Sequence, residues 1–530
     1  MSKSNEANFG KYFSLPNPGL ESYFDRVRVG NQEEYRTTFY KGKSVQEILE
    51  LWQPTLDQLE NEWPQLLKFE NDLREKVGPL SIMKPLKDRI EDIDSYYDSI
   101  LLESKPISQS AEAAVIREWS DLRGLQPRSQ TKTVDLMKKS TSSGNPFFTK
   151  RKAVTDKTIP CHLKFIEDNA IQHLPGKDWL SCAILGWRGQ EGGPTDEDVK
   201  QRVVWMFPYA INIEELRFYQ PAIEIAQRSD LVPAWVSMES VDKHITKMFD
   251  TKGANDLVIG TDFTKFDQHF NQHMQQSAYN IIQHIMNNSA DSRYWLNEVF
   301  PIKYSIPLAI QMNQLRFGLH GMASGSGGTN FDETVVHRAL QYECAMSHHQ
   351  KLNPYSQCLG DDGVITYPGI TVEHVMQTYT SHGQEMNESK QYVSTHDCIY
   401  LRRWHDKDYR VDGVCVGVYA TMRAIGRLCE QERFYDPEVW GPKMVALRQL
   451  SIIENCKYHP YFEQFVQFCM KGDKFRLGLD IPGFLDDIDK IASEAIDLMP
   501  DFLGYTKSLQ KDAQSGISSW RVVKYLKSLQ

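Results

Sequence analysis

Leu257-Val258-Ile259-Gly260-Thr261-Asp262-Phe263-Thr264-Lys265-Phe266-Asp267 and, further along, Gln357-Cys358-Leu359-Gly360-Asp361-Asp362-Gly363-Val364-Ile365-Thr366-Tyr367 decide the fold. The apolar run 257–260 reads as a buried strand that delivers Asp262 at its end, with Asp267 following in the same stretch. Residues 357–359 and 364–367 read as two further strands joined by an acidic turn flanked by glycines, which is the pattern of a hairpin. Carboxylates converging from two strand ends suit a pair of hard cations with oxygen ligands. Two such ions form the clamp used for in-line phosphoryl transfer. Gly-Asp-Asp alone is a common turn, expected by chance in about one chain in six of this size. Its meaning depends on what stands around it.

Between the two acidic stretches lies Gly321-Met322-Ala323-Ser324-Gly325-Ser326-Gly327-Gly328-Thr329, and Phe331, Val335, Val336 and Leu340 open a helix directly afterwards. The bland reading is a flexible linker. A glycine-rich loop that feeds a helix also lets a backbone approach a nucleotide closely. Upstream, Lys200-Gln201-Arg202-Val203-Val204 sets two cations on alternate residues of an expected strand, so both face one way. Such a pair suits a triphosphate. Downstream, Glu388-Ser389-Lys390 precedes Ile399-Tyr400-Leu401-Arg402-Arg403-Trp404, another strand-like run with cations. Residues 128–152 are locally basic and bracket Thr141-Ser142-Ser143-Gly144-Asn145-Pro146, whose hydroxyls and amides suit a phosphate track.

Toward the ends the texture becomes helical. Ser44 with Glu47 forms a capping box, and Ile48, Trp52, Leu56, Leu59, Trp63 and Leu66 recur at helical spacing, with Pro54 and Pro64 expected to break the stretch. After about residue 413 amphipathic helices dominate; Asp436-Pro437-Glu438 is a helix start, and Leu447, Leu450, Ile453, Tyr461, Phe462, Phe465 and Phe468 follow. From Lys511 to Ser519 the chain reads as a polar linker before a short last helix. Its Trp520, Val522, Val523, Tyr525 and Leu526 need burial, either on the helical C-terminal part or back toward the acidic cavity.

The 530 residues are 41% hydrophobic and 25% charged, which excludes wholesale disorder, collagen-like and coiled-coil chains. The net charge of −10 argues against a uniformly basic nucleic-acid coat but leaves room for a basic channel. Nine cysteines without a Cys-x-x-Cys pair point to a reducing compartment rather than a disulfide framework or four-cysteine zinc site. The N-terminal residues carry no apolar signal core and no myristoylation glycine, and no apolar run approaches the ~20 residues that cross a bilayer.

Taken in order, these elements resemble a viral RNA-dependent RNA polymerase, with all seven motif regions of that family between about residues 140 and 405. Thr141 to Pro146 is similar to motif G, Lys200 and Arg202 to motif F, Asp262 to Asp267 to motif A, and Ser324 to Glu333 to motif B. Gly360-Asp361-Asp362 resembles motif C, Lys390 stands where motif D carries its lysine, and Tyr400 to Arg403 is similar to motif E. Within the family the likeness is greatest to the enzymes of small double-stranded RNA viruses, the picobirnaviruses, with partitivirus-like enzymes the near alternative. One departure stands out: motif B usually ends in Asn four residues after the Thr, and here that position is Glu333.

The resemblance implies an α+β right-hand polymerase with an antiparallel palm sheet and a closed ring. Its expected divisions are an N-terminal fingers–thumb bridging segment at 1–65, fingers at 66–221 and 272–316, palm at 222–271 and 317–412, and thumb with a C-terminal tail at 413–530. It implies RNA-templated addition of NTPs to an RNA 3′-OH, for replication and transcription of a viral, double-stranded genome, with primer-independent initiation. Asp262, Asp361 and Asp362, with the Phe263 carbonyl, would hold two Mg²⁺ or Mn²⁺ ions. Lys390 would be the general acid, and Lys200 and Arg202 would bind the triphosphate. Asp267, Ser324, Gly325 and Thr329 would bind the nucleotide, with Asn330 or Glu333 replacing the usual Asn. Thr141, Ser142, Gly144 and Pro146 would line the template path, and Tyr400, Arg402 and Arg403 the primer or product side. The implied partners are RNA template and product, NTPs and a viral capsid protein, with no membrane, a monomeric state, and a place in the virion interior or host cytoplasm.

Two other classes stay open at this point. A reverse transcriptase or other palm polymerase would block the ribose with a bulky side chain, where this chain has the acidic Asp267, able to accept from a 2′-OH. A non-catalytic capsid-associated RNA-packaging protein would carry a basic tail, and none is present. A second carboxylate at Glu333 would repel Asp267 unless water, a hydroxyl or a cation intervenes. Glu333 is therefore expected to bond to the loop before it, or to organise Asp267 indirectly, rather than touch the sugar.

Overall fold

The computed structural model describes residues 3–6, 8–167, 169–496, 498 and 516–530. At its centre is a four-stranded antiparallel sheet in the order Gln357–Leu359, Asp362–Ile365, Val258–Thr261, Tyr392–Ser394. Every residue of Val258–Thr261 is buried. That explains its unbroken apolar character, since both faces are covered and neither needs a polar alternate. Helix Thr329–Ser347 lies against one face, packed also on helices Gln109–Glu118 and Gln272–Ile285. Val335, Val336, Ala339 and Leu340 from this helix are fully buried in the main hydrophobic core.

A second, five-stranded sheet runs Lys3–Glu6, Gln314–Phe317, Leu308–Gln311, Ala183–Gln190, Lys200–Met206. Its one parallel pairing, Ala183 with Leu308, joins segments far apart in sequence. A three-stranded sheet, Asp397–Tyr400, Arg403–Asp406 and Val418–Tyr419, leads from the central sheet into the helical C-terminal part.

The N-terminal segment is anchored at both ends. Phe9, Phe13, Leu20 and Phe24 pack with Cys182, Ile184, Ala309 and Leu315 of the five-stranded sheet. Phe39, Ile48, Leu49, Trp52, Leu56, Leu66 and Phe69 share a core with Val418, Ile425, Leu447, Phe465 and Leu526. The expected helix forms as Val45–Leu56, capped by Ser44 accepting the Glu47 N–H, a 3-10 turn at Asp57–Asn61, and Pro64–Arg74. Pro64 starts a helix, but Pro54 does not break one. It sits in the last turn of Val45–Leu56, where its missing N–H removes a single bond just before the helix ends anyway.

At the C-terminal side, Asp436 caps the helical stretch Pro437–Glu454, which is broken at Gly441 (φ +80°), and helix Phe462–Lys471 follows. The last helix, Arg521–Ser528, buries Val522, Val523 and Leu526 in this same core, with Glu454 accepting the Arg521 N–H at 2.9 Å. The final apolar residues thus dock on the helical C-terminal part and not toward the acidic cavity. Residues 511–515 of the expected linker lie outside the described residues. No helix among the described residues is long and apolar enough to cross a membrane.

Candidate active site

Antiparallel pairing of Thr261 with Gly363 sets the end of one strand beside the turn that joins the other two. Asp262 and Asp361 stand there as neighbours, both accessible from the cavity. The turn is fixed from behind by helix Thr329–Ser347. Thr334 Oγ1 accepts the Gly360 N–H at 2.9 Å, and His337 Nδ1 donates to the Gly360 carbonyl at 2.8 Å. Gly360 has φ +58°, a left-handed turn conformation that glycine adopts without steric penalty. Asp262 is fixed through its backbone: its N–H donates to Gln391 Oε1, and Gln391 Nε2 donates to its carbonyl, both at 2.8 Å. Asp362 is committed differently, its Oδ2 accepting the Leu401 N–H at 2.9 Å.

All three carboxyls titrate above the ordinary range. Burial raises Asp262, opposed by Lys390, Lys76 and Lys200. Burial raises Asp361, assisted by Asp267 and opposed by Arg202. Burial, then Asp361, pushes Asp362 up to about 7. Acids pressed together in this way gain from a positive charge placed among them. Their donor set is all oxygen, which fits hard divalent cations.

Lys200 and Arg202 project from the same face of strand Lys200–Met206, both exposed. Burial lowers the Lys200 ammonium, and the neighbouring Lys76 and Lys390 lower it further. Lys390, exposed at the end of a 3-10 turn, and Lys76, after helix Pro64–Arg74, complete this positive rim. Lys76 escaped sequence reading because it lies far from any motif and is brought in by the bridging segment. Phe263 follows Asp262 with its ring stacked on Tyr379 at 5.6 Å, so its side chain is packed in the core.

Asp267 Oδ2 accepts the Ser324 hydroxyl at 2.7 Å. The next residue, Gly325, has φ +135°, and a Cβ there would lie 1.8 Å from the Trp205 carbonyl oxygen, so only glycine fits. Thr329 Oγ1 lies 3.4 Å from the Ala323 carbonyl that accepts it. Asn330 is engaged elsewhere, its amide oxygen accepting the Trp235 indole N–H at 2.7 Å. Glu333 is the buried neighbour of Asp267. Burial, then Asp267, raises its carboxyl far above the ordinary range, and a hydrogen bond to Asp267 raises it further. Burial and the Asp267 charge thus both favour a proton on Glu333, which relieves the anticipated repulsion.

Three expectations change in the structure. Residues 399–404 do not form one strand. Leu401 and Arg402 have φ +51° and +61°, the signature of a two-residue hairpin turn, so the run folds back on itself. Tyr400, paired with Arg403, is 1% exposed and packs with Val258, Val364 and Cys398, which removes it from the primer or product side. Arg402 is exposed at the hairpin tip, while Arg403 is half-buried beside Asp242, whose carboxyl burial pushes up to about 7 against the opposing Arg403 charge. In the 141–146 turn, Gly144 and Pro146 are buried. Asn145 bonds to the Tyr12 and Leu180 carbonyls at 3.0 and 2.8 Å. Thr141 and Ser142 alone of the four named positions reach solvent, so they, and not Gly144 or Pro146, can meet a template.

Among the described residues, one grouping has side chains spaced as metal ligands: His396, Asp397 and Asp406. It lies on the three-stranded sheet, apart from Asp262 and Asp361, and its members are occupied. Trp404 donates to Asp397 at 2.9 Å and His396 contacts Asp406 at 3.2 Å.

Comparison with known proteins agrees with this geometry. The viral RNA-dependent RNA polymerase family profile matches residues 88–403. The chain is 59% identical over 526 residues to a potential RNA-dependent RNA polymerase of human picobirnavirus (strain Human/Thailand/Hy005102/-), covering 98% of both chains. The crystal structure of the RNA-dependent RNA polymerase of a human picobirnavirus superposes with a TM-score of 0.95 at 58% identity, over 99% of this chain and 100% of that one. An insertion-loop deletion mutant of such a polymerase superposes at 0.93 with 56% identity, over 99% and 100%.

Proposed function

The chain belongs to the viral RNA-dependent RNA polymerase family, and we propose that it copies a double-stranded viral RNA genome at Asp262 and Asp361, starting chains without a primer. It is an enzyme, an RNA-directed RNA polymerase with the right-hand fold of its relatives. The observation that supports this catalytic centre best is the Thr261–Gly363 register, which sets two carboxylates side by side opposite a rim of lysine and arginine.

In this reading Asp262 and Asp361 would hold two divalent cations, Mg²⁺ or Mn²⁺, with the Phe263 carbonyl as a further oxygen donor. Bound there, the ions supply charge neutralisation and activation of the attacking hydroxyl. Asp362 assists by anchoring the Leu401 turn. Lys200, Arg202 and Lys76 draw in the triphosphate and align it for attack by the 3′-OH. The 3′-hydroxyl gives its proton to solvent as its oxygen forms the bond to the α-phosphorus, the bond from that phosphorus to the bridging oxygen breaks, and Lys390 protonates the departing pyrophosphate. Asp267 accepts from the ribose 2′-OH, supported by Ser324, Gly325 and Thr329. Thr141 and Ser142 guide the template, and Arg402 faces the product.

In this reading the fingers, palm and thumb divide as the resemblance implies, with the bridging segment at 1–65; Val77, just beyond it, also packs in the C-terminal core. The enzyme acts as a monomer, with the capsid protein as partner, in the virion interior or host cytoplasm. The test is extension of an RNA template by purified protein with NTPs and Mg²⁺ or Mn²⁺ and no primer. Product from the wild type and none from D361A supports the reading; product from both overturns it.

A further inference from the structure

The loop 324–328 that carries Ser324 is held between two walls. On one side the Trp205 N–H donates to the Ser324 carbonyl at 2.7 Å, tying the loop to the strand that bears Lys200 and Arg202. On the other side stands Glu215, on helix Tyr209–Arg228 and fully buried. Its carboxylate accepts the Ser326 hydroxyl, a short bond, and the Gly327 N–H at 3.0 Å. Ser326 Oγ in turn accepts the Gly328 N–H at 3.0 Å. One side chain, reached from a helix outside every motif, therefore fixes the middle of a loop that has few side chains to fix itself.

A carboxylate at 0% exposure needs such a set of partners, because a buried acid without them carries a large desolvation cost. Lys303, also fully buried, lies between Glu215 and Asp332; its ammonium is 3.1 Å from Asp332 and acts electrostatically on Glu215. Tyr219 and Tyr304 donate to Asp332 at 2.8 and 2.7 Å. Asn212, in the amide orientation that satisfies both its ends, donates to Glu215 at 3.0 Å and accepts from Arg151 at 2.9 Å. Glu215 is thus held by Asn212 from its own helix and by the Lys303 charge from the 300–304 turn. What it has left to hold is the loop.

We propose that Glu215 is a positioning residue for ribose recognition: by fixing Ser326 and Gly327 it presents the Ser324 hydroxyl to Asp267, and so sets how the enzyme tells NTP from dNTP. The Ser324–Asp267 bond at 2.7 Å is the last link of this chain. The inference rests on the proposed role of Asp267 in reading the 2′-OH. Glu215 touches neither substrate nor reacting atoms.

The experiment measures kcat/KM for an NTP and the matching dNTP in wild type, E215A, E215Q, S326A and D267A, with thermal unfolding to verify each fold. E215A and S326A are expected to lower the NTP/dNTP ratio ~10-fold, the range of one hydrogen bond, by losing NTP efficiency while dNTP efficiency stays near wild type. E215Q, whose amide oxygen still accepts from Gly327, is expected to stay within ~3-fold of wild type. S326A removes one small, buried hydroxyl and leaves the Glu215 side chain in place, so it tests the link even if E215A does not fold. An equal fall for both substrates, or an unchanged ratio in S326A, overturns the inference. If D267A itself keeps the wild-type ratio, the reading of Asp267 fails instead.

Discussion

Asp362 Oδ2 and the Leu401 N–H meet at 2.9 Å, so the two adjacent aspartates of the turn have separate duties. Asp361 opens on the cavity, whereas Asp362 braces the hairpin whose tip carries Arg402. Asp361→Ala should therefore lower polymerisation at least by the ~10²–10³-fold typical of losing one preorganised electrostatic group. Asp362→Asn retains an acceptor for Leu401 and should keep activity within ~10-fold, since one neutral bond is worth about 1 kcal/mol. Single-turnover extension rates check both, and equal losses in the two variants would contradict this division.

Glu333 is expected to act as a neutral acid beside Asp267, its proton held by burial and by the Asp267 charge. Glu333→Gln keeps a donor of the same length and should preserve the NTP/dNTP ratio within ~3-fold. Asp267→Ala should lose most of that ratio, by ~10- to 100-fold. Measuring the ratio for each variant separately checks the pair.

The pH dependence of Glu215 runs in two opposed directions. Burial pushes its carboxyl from the ordinary 4.5 up to about 7, with Asp332 adding to the rise and Lys303, Ser326 and Gly327 opposing it. The folded protein then keeps a proton that the unfolded chain releases. This group's stabilising contribution is fullest below the unfolded value and is lost as pH rises through about 7. The ionised form, however, accepts both loop bonds. Discrimination between NTP and dNTP should therefore increase from about pH 6 to about pH 8, and E215Q should remove that increase. A pH profile of the ratio in the two proteins checks it.

Lys303 and Asp332 form an ion pair with both side chains at 0% exposure. Lys303→Met leaves the Asp332 carboxylate buried with only the Tyr219 and Tyr304 hydroxyls, and should destabilise the fold by about 3–5 kcal/mol. Chemical denaturation of the variant against wild type measures the loss. Replacing Tyr400 by Phe, in contrast, changes a side chain sealed in the core and should leave affinity for primed RNA unchanged, as a binding titration would verify.

What the sequence made legible is what is local. The apolar run ending in Asp262 could be read because strand Val258–Thr261 is covered on both faces, and the acidic hairpin because glycines bracket its turn. The sheet order, by contrast, depends on residues with no signature. Thr334 and His337 hold Gly360 from another element, and Gln391 clasps Asp262 through its backbone alone. An ordinary glutamine or threonine carries no periodicity or spacing that announces such a duty. The place of Tyr400 is likewise not local: likeness to motif E implies a product-side residue, whereas the left-handed turn at Leu401 and Arg402 folds the run back and leaves Tyr400 facing the core. Glu333 is half legible, since its departure from the usual amide is plain while the upward shift of its carboxyl depends on how deeply it is buried.

Finally, the first eighty or so residues act as a strap, with Phe9 and Phe24 sewn into one side of the molecule and Trp52 and Phe69 into the other. A strap fastened through two hydrophobic cores does not unclasp in passing, because releasing either end exposes several large side chains at about 1.5–3 kcal/mol each. RNA reaching the acidic cluster is therefore expected to enter end first, as cord goes through an eyelet, and not sideways past the strap. A covalently closed RNA circle, which has no end to offer, should be refused as a template until it is nicked, however favourable its sequence.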